Sequence, residues 1–251
     1  MTSDLYTFIL KKKQQGKKLF GVLIDPDKFH SPEVIHRAEL SKADLILVGG
    51  SLLTTGNFEE CISTIKRMTD LPVVIFPGNN LQISNSADAI FLLSLISGRN
   101  PEFLIGKHVV AAPLLKSSDL EIIPTGYMLI ESGKQTTASY MSNTVPIPHD
   151  KTDIALCTAL AGEMLGLKLI YMDAGSGAFT PVSSKMIKQV SSEISIPLIV
   201  GGGINTPQHA TAACEAGADI IVVGNAIEKD INIIENISNA VFEFNTLNLS
   251  L

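Results

Sequence analysis

Short apolar runs rich in Val, Ile and Leu alternate along the chain with longer segments of helical period. This alternation is typical of repeated βα units, in which helices join parallel strands. The apolar runs are nearly continuous, as expected for strands that are covered on both faces. The pattern predicts eight strands, at Leu19–Asp25, Asp44–Gly50, Leu71–Pro77, Ala87–Leu95, Tyr127–Glu131, Lys168–Ala174, Pro197–Gly203 and Asp219–Gly224.

Five of the intervening segments have apolar positions at helical spacing, with Ser, Thr or Asn near several starts. They predict helices at Ser31–Lys42, Phe58–Met68, Thr152–Leu165, Val182–Ser192 and Pro207–Gly217. The middle of the chain is less regular, because the pattern over Gly98–Pro124 is ambiguous. Gly133–Asp150 is predicted to be a long loop over the sheet, and a functional lid and an ordinary surface excursion explain it equally well.

The number of strands and the chain length together favour one architecture. The 251 residues match the ~250 residues of one complete (β/α)8 barrel. An open doubly wound sheet has similar local patterns, but no G-x-G-x-x-G dinucleotide motif follows the first strand, where Asp25-Pro26-Asp27-Lys28 stands instead. We therefore predict a single-domain (β/α)8 TIM barrel over residues 1–251, with a modified middle region.

Composition narrows the class of protein. Hydrophobic residues make up 45% of the chain and charged residues 18%, which fits a packed core and excludes extensive disorder. The formal charge of −6 provides no attraction for a nucleic-acid backbone. Because no apolar run has the length of a signal peptide or a membrane span, we expect a cytoplasmic protein.

Three cysteines, Cys61, Cys157 and Cys214, are odd in number and widely spaced. This favours reduced, buried thiols over disulfides or a metal site. The five histidines show no paired ligand spacing, and no G-x-S-x-G motif is present, which disfavours zinc chemistry and a serine nucleophile.

Glycines mark the ends of the last two predicted strands, at Gly201–Gly203 and at Gly224-Asn225. Catalytic and ligand-binding groups of barrel enzymes lie at these carboxyl ends, and glycine lets backbone N–H groups approach a phosphate. Glycines at both strand ends predict a phosphate site, with no Lys or Arg placed beside them in the sequence. Taken alone, Gly201–Gly203 could equally form a tight turn before the next helix.

Two further strand ends carry acidic residues. Asp25, at the end of the first strand, and Ser51, after the second, could bind Mg²⁺, although Asp25 could equally cap the turn that follows it. Asp173, at the end of the sixth strand, could act as a general base, with Tyr171 on the same side of that strand. It could instead accept hydrogen bonds from Gly175 and Ser176 in its own turn.

With these residues assembled, the chain resembles the geranylgeranylglyceryl phosphate synthase family, whose relatives include heptaprenylglyceryl phosphate synthase. The resemblance runs nearly end to end. It rests on six segments, Leu23–Lys28 (LIDPDK), Val48–Ser51 (VGGS), Phe76–Asn79 (FPGN), Tyr171–Gly177 (YMDAGSG), Val200–Ile204 (VGGGI) and Val223–Asn225 (VGN).

The resemblance implies Mg²⁺-dependent transfer of a prenyl group from its diphosphate to the C3 hydroxyl of sn-glycerol 1-phosphate. It places Asp25 and Ser51 at the metal, and Asp173 and Tyr171 in catalysis. It assigns glycerol phosphate binding to Tyr171, Met172, Asp173, Ala174, Gly175, Ser176, Gly177, Gly202, Gly203, Gly224 and Asn225. Many relatives carry Glu where this chain has Asp173, a shorter side chain that must reach the glycerol hydroxyl differently.

A long prenyl tail requires an apolar trench, for which Phe76, Phe91, Tyr127 and Tyr140 are candidates, although ordinary packing explains each one alone. The resemblance also implies a homo-oligomer, a dimer or a hexamer, and transient contact with a membrane surface for product release. Two alternatives stay open on the sequence: another phosphate-binding barrel, an isomerase or an FMN-dependent oxidoreductase, and a barrel that binds phosphate without catalysis.

Overall fold

A closed barrel of eight parallel strands forms the centre of the computed structural model, which describes residues 4–247. The strands are β1 (Leu19–Ile24), β2 (Leu45–Val48), β3 (Val73–Ile75), β4 (Ala89–Leu95), β5 (Glu121–Leu129), β6 (Leu169–Asp173), β7 (Leu198–Gly201) and β8 (Ile220–Val223). Each pairs with the next, and β8 pairs with β1, so the predicted barrel is confirmed. The single domain over 1–251 stays a prediction whose ends, 1–3 and 248–251, lie outside the described residues.

Helices surround the barrel. They are α1 (Leu5–Gln14), α2 (Glu33–Leu40), α3 (Phe58–Met68), α4 (Lys107–Lys116), α5 (Thr137–Ser142), α6 (Thr152–Met164), α7 (Ser184–Ser191), α8 (Pro207–Glu215), α9 (Asn225–Lys229) and α10 (Ile233–Leu247). All five predicted helices are present, four of them one or two residues shorter at one or both ends. Polar caps set several starts: the side chains of Asn57, Ser183 and Thr206 accept hydrogen bonds from backbone N–H groups of α3, α7 and α8.

The ambiguous middle region contains a helix and the first half of a strand. A π-helical turn, Glu102–Gly106, leads into α4, which contains Pro113. The predicted start of the fifth strand at Tyr127 is wrong, because β5 begins at Glu121 and passes through Pro124. Residues before Thr125 pair only with β4, and pairing with β6 starts at Thr125, so the missing N–H of proline is tolerated.

The predicted loop Gly133–Asp150 is partly helical. Its helix α5 begins with a capping box, in which Thr136 and Ser139 each bond the other's backbone N–H group. A single bridge between Ile130 and Ile147 ties the segment to the end of β5. The segment is therefore anchored at the mouth of the barrel.

Two apolar shells stabilise the fold. One fills the barrel interior and includes Leu47, Phe91 and Val222, while the other lies between the strands and the helices. Leu5 and Ile9 of α1 belong to the interior shell, so this helix, absent from our predictions, packs against the barrel interior.

The cysteines are all free, as predicted, but their predicted burial holds for only two of them. Cys61 and Cys214 are buried, and burial raises the pKa of each thiol to about 12, whereas Cys157 is exposed on α6. Within residues 4–247, no helix is long and apolar enough to cross a membrane.

Candidate active site

A wide cavity opens at the carboxyl ends of the strands, and all but two of the predicted site residues line it. These are Asp25, Ser51, Tyr171, Asp173, Gly175, Ser176, Gly177, Gly202, Gly203, Gly224 and Asn225. The side chains of Met172 and Ala174 instead face the shell between β6 and the helices, because alternate residues of a strand point to opposite faces. The predicted set is therefore one site, without those two side chains.

The turns after β6 and β7 approach each other too closely for side chains. Gly202 and Gly203 adopt φ values of +76° and +72°. A Cβ on Gly202 would lie 2.5 Å from both Asp173 Oδ1 and the Gly175 nitrogen. Glycine is thus required here for conformation as well as for space, and the backbone of both turns faces the cavity.

The end of β8 is tied to the turn after β6 through one amide side chain. Asn225 Oδ1 accepts hydrogen bonds from Ser176 Oγ at 2.6 Å and from the Gly177 nitrogen at 3.1 Å. Asn225 Nδ2 donates to Glu228 Oε2 at 3.2 Å, and Glu228 is bonded in turn to Lys28 Nζ at 2.9 Å. Neither Glu228 nor Lys28 was among the predicted site residues.

Asp173 is buried at the centre of the cavity, and both of its carboxylate oxygens are engaged. Oδ2 accepts a hydrogen bond from the Tyr127 hydroxyl at 2.5 Å, and Oδ1 accepts one from the Gly175 nitrogen at 2.7 Å. Burial raises the pKa of the Asp173 carboxyl, and these two hydrogen bonds oppose that rise. The alternative of a bond within its own turn is thus realised at Gly175, and each oxygen keeps a lone pair for a ligand.

Three aromatic rings form a cluster, and one of them, Tyr127, bonds this carboxylate. Phe76 and Tyr171 are stacked with centroids 5.0 Å apart, and Tyr127 meets them edge-on at 5.7 and 5.6 Å. The Tyr171 hydroxyl occupies the space that a Cβ on Gly201 would require, at 2.4 Å. Burial beside Asp173 raises the pKa of both tyrosines, so both remain protonated donors at neutral pH.

The two acidic residues after β1 have different environments. Asp27 accepts hydrogen bonds from Thr54, Thr55 and Gly56, which lowers the pKa of its carboxyl to about 2 and holds the loop after β2. Asp25 Oδ1 accepts a bond from the Asp27 nitrogen at 3.1 Å, so Asp25 is a cap, as one prediction had it. Its Oδ2 faces Lys28 Nζ at 3.5 Å.

One cation approaches the turn after β6, although no Lys or Arg stands beside these glycines in the sequence. Lys134 Nζ lies 3.0 Å from the position of a Cβ on Gly177 and 5.0 Å from the centroid of the Phe179 ring. Lys134 is distant in sequence and reaches this turn from the segment after β5, so the sequence alone does not place it there. Positive charge from a side chain therefore adds to the backbone N–H groups at this end.

A second, apolar cavity leads away from the mouth between β4, β5 and α4. Its empty space, including solvent at its opening, is about 900 Å³, and its walls include Leu92, Leu95, Phe103, His108, Ala111, Leu115, Leu129 and Met141. Phe76 and Tyr127 line both cavities, which therefore meet at these two rings. A ligand with an anionic end and a long apolar end could extend from one into the other.

Two of the four candidate trench residues lie elsewhere. Phe91 is fully buried inside the barrel, and Tyr140 is 71% exposed outside the walls of the apolar cavity. The walls formed by Phe103, His108, Ala111 and Leu115 were not predicted, because these residues lie in the ambiguous region. The sequence of α4 does not show which side of the helix borders a cavity, because both sides are apolar. Ala111 and Leu115 are buried, whereas Val109, Val110 and Leu114 are exposed.

Comparison with known proteins places this geometry in a family. The model of the PcrB family matches residues 11–243. A geranylgeranylglyceryl phosphate synthase from Spirosoma linguale is 55% identical over 95% of this chain and 97% of its own length. One from Thermococcus gammatolerans is 45% identical over 88% of each chain.

A solved structure agrees with these sequence matches. The crystal structure of (S)-3-O-geranylgeranylglyceryl phosphate synthase from Thermoplasma acidophilum, in complex with its substrate sn-glycerol-1-phosphate, superposes with a TM-score of 0.89. It is 36% identical to this chain and covers 96% of it and 100% of its own length.

Proposed function

This chain belongs to the PcrB family, and we propose that it transfers a geranylgeranyl group from its diphosphate to the C3 hydroxyl of sn-glycerol 1-phosphate. Family membership makes it a prenyltransferase and disfavours the isomerase, flavin enzyme and non-catalytic barrel. One observation carries the proposal: the wide cavity, which reaches the glycine-rich turns, and the apolar cavity meet at Phe76 and Tyr127, beside the buried carboxylate of Asp173.

Glycerol phosphate binds, in this proposal, at the turns after β6, β7 and β8. Backbone N–H groups of the turns at Gly203 and Gly224 hold the phosphate, as at the ends of the last strands in many barrel enzymes. Lys134 adds a positive charge at the same end. The crystallised Thermoplasma acidophilum relative, which holds sn-glycerol-1-phosphate, supports this choice of substrate.

Asp173 would accept the proton of the glycerol C3 hydroxyl. As the oxygen forms a bond to C1 of the prenyl chain, the bond from C1 to the diphosphate oxygen breaks and its electron pair leaves with diphosphate. The Tyr127 hydroxyl and the Gly175 N–H orient the carboxylate for this transfer. The faces of Phe76 and Tyr171 are suited to a carbon that gains positive charge as this bond breaks.

The residues after β1 and β2 fit Mg²⁺. Asp25 offers a carboxylate oxygen, Oδ2, which faces the Lys28 ammonium at 3.5 Å, and Ser51 offers a hydroxyl at the same cavity. Residues 4–247 contain no group of three or more His, Cys, Asp or Glu that could hold a metal. Few protein ligands suit Mg²⁺, which is often bound by one or two carboxylates, waters and substrate phosphates. When bound, it would neutralise charge on the leaving diphosphate.

The apolar cavity would hold the prenyl chain. The walls provided by Leu95, Phe103 and Leu115 are apolar, as is usual for sites that bind apolar ligands. We further propose a homo-oligomer, a dimer or a hexamer, and transient membrane-surface contact during product release. Exposed apolar side chains on and beside α4, such as Ile105, Val109 and Leu114, support such contacts.

Substrate selectivity tests the division between the two cavities. We expect diphosphate release, followed by a coupled phosphate assay, to require both sn-glycerol 1-phosphate and geranylgeranyl diphosphate, and to stop on removal of Mg²⁺ with a chelator. The opposite enantiomer, sn-glycerol 3-phosphate, should be a much poorer acceptor. Diphosphate release at the same rate without any acceptor would contradict the proposal, because it would indicate hydrolysis rather than transfer.

A further inference from the structure

A hydrogen-bonded series runs along one rim of the mouth, from the end of β1 to the turn after β6. Lys28 Nζ lies 3.5 Å from Asp25 Oδ2 and bonds both oxygens of Glu228, at 2.9 and 3.1 Å. Glu228 accepts from Asn225 Nδ2, and Asn225 Oδ1 accepts from Ser176 and Gly177. Glu228 is thus placed between a charged residue and the amide that holds the glycine-rich turn.

Glu228 determines which way the Asn225 amide points. An ionised carboxylate can only accept hydrogen bonds, so the group of Asn225 that faces it must be the NH₂. The amide oxygen then faces Ser176 Oγ and the Gly177 nitrogen, which are donors in this arrangement. Reversing the amide would place an NH₂ group against the Gly177 N–H, which would then lose its acceptor.

We propose that Glu228 is a positioning residue for glycerol phosphate. This role rests on the function proposed above. Glu228 does not contact the substrate but fixes the orientation of Asn225 and, through it, of the Ser176–Gly177 turn. Lys28 holds Glu228 in place and balances its negative charge, which would otherwise oppose the binding of a phosphate. Charge repulsion alone predicts the opposite result, because removing this carboxylate would then strengthen phosphate binding.

Two substitutions at one position separate charge from hydrogen bonding. Glu228→Gln removes the charge but keeps an oxygen that accepts from Asn225, whereas Glu228→Met has similar length and removes the acceptor as well. We expect Met to raise the Kd for sn-glycerol 1-phosphate by about five- to tenfold, the effect of one lost hydrogen bond, and Gln by less than about threefold. Calorimetry without metal or prenyl diphosphate measures this binding directly.

A matched control removes a nearby charge without touching the amide. The Asp230 carboxylate accepts hydrogen bonds from Asn232 instead, so Asp230→Asn should leave the Kd close to that of the unmodified protein. In steady state, Glu228→Met should raise the KM for glycerol phosphate and leave the KM for geranylgeranyl diphosphate nearly unchanged. Melting temperatures, measured in parallel, distinguish a local effect from loss of the fold.

Exchanging the hydrogen-bond donor and acceptor between positions 225 and 228 provides a rescue experiment. Asn225→Asp places two carboxylates together and should weaken binding more than Glu228→Met does. Adding Glu228→Gln supplies an NH₂ donor to the new carboxylate, and we expect this double variant to recover at least about threefold in Kd over Asn225→Asp alone. This arm is informative even if Glu228→Met fails to fold.

Tighter or unchanged binding by folded Glu228→Met, or no recovery in the double variant, would overturn the positioning role. Binding of glycerol phosphate by the unmodified protein without any ether product would overturn the proposed function alone.

Discussion

Removal of the Tyr127 hydroxyl tests whether Asp173 is the base. Tyr127→Phe keeps the ring against Phe76 and Tyr171 but deletes the donor that lies 2.5 Å from Asp173 Oδ2. A buried hydrogen bond to a charged group contributes ~1.5–3 kcal/mol, so we expect a loss of stability of that size at neutral pH. Because this bond lowers the pKa of Asp173, its removal raises that pKa further above the ordinary value.

The consequence for catalysis is a shift in pH dependence. A base must be ionised, so the acidic limb of kcat/KM should move to higher pH in Tyr127→Phe, while the plateau changes less. At a fixed pH on that limb, the rate should fall by about tenfold or more, since 1.4 kcal/mol corresponds to a factor of ten. Rates are measured with saturating geranylgeranyl diphosphate across the range in which the protein stays folded.

Stability changes with pH in a direction that follows from the same carboxyl. Its folded pKa is raised by burial, so the stability it contributes is present below the unfolded pKa and is lost as pH rises through the folded pKa. The deficit of Tyr127→Phe should therefore be largest at neutral pH and smaller in acid. Tyr140→Phe, at an exposed tyrosine, is the matched control and should change neither property. An unmoved acidic limb in a stable Tyr127→Phe protein would refute the assignment of Asp173 as the titrating base.

Three other substitutions test the remaining parts of the site. Asp25→Asn should reduce turnover at least a hundredfold while calorimetry finds glycerol phosphate affinity nearly intact; an equal loss of both would contradict a role confined to the diphosphate side. Asp27→Asn should be less stable above about pH 4, and its deficit in urea unfolding should shrink as pH falls from the ordinary pKa of 3.8 towards about 2, because the bonds from Gly56 and Thr54 depress the folded pKa. Gly224→Val should raise the KM for glycerol phosphate at least tenfold, since Gly224 has a negative φ and its new side chain would press on Leu23; early melting with a normal KM would refute this.

Gly203→Val is a weaker test of phosphate binding than Gly224→Val. Gly203 has a φ of +72°, and a Cβ there would lie 2.8 Å from the Pro181 nitrogen, so substitution should destabilise the turn whether or not a phosphate binds. The turn therefore requires glycine at position 203 whether or not its N–H group also binds phosphate, and Gly224→Val is the variant that separates binding from strain. Comparison of the two variants by melting temperature makes the distinction measurable.

The strand ends could be predicted because they are marked by local chemistry. Glycine and aspartate follow buried apolar runs at Asp25, Asp173 and Gly201–Gly203, and parallel strands bring such ends to one face. Strand alternation also implies that the side chains of Met172 and Ala174 point away from the site. The family resemblance, however, assigned Tyr171–Gly177 to the site as one continuous segment. These two side chains were therefore assigned to the site instead of to the core.

The partners of the site residues could not be predicted, because they come from distant parts of the chain. Tyr127 lies in a strand whose start was misplaced, and Lys134 reaches Gly177 from a segment predicted to be a loop. Glu228 carried one local signal, its spacing of three residues from Asn225 on a helix. That spacing alone does not reveal which way the amide of Asn225 points.

Product mass is the measurement that tests the proposed transfer most directly. The protein is incubated with sn-glycerol 1-phosphate, geranylgeranyl diphosphate and Mg²⁺, and the lipid fraction is analysed by mass spectrometry. The proposal predicts one new compound with the mass of glycerol phosphate plus a geranylgeranyl group in place of the hydroxyl hydrogen, absent with Asp173→Asn. A protein that binds glycerol phosphate but forms no such compound with prenyl diphosphates of any length would contradict it.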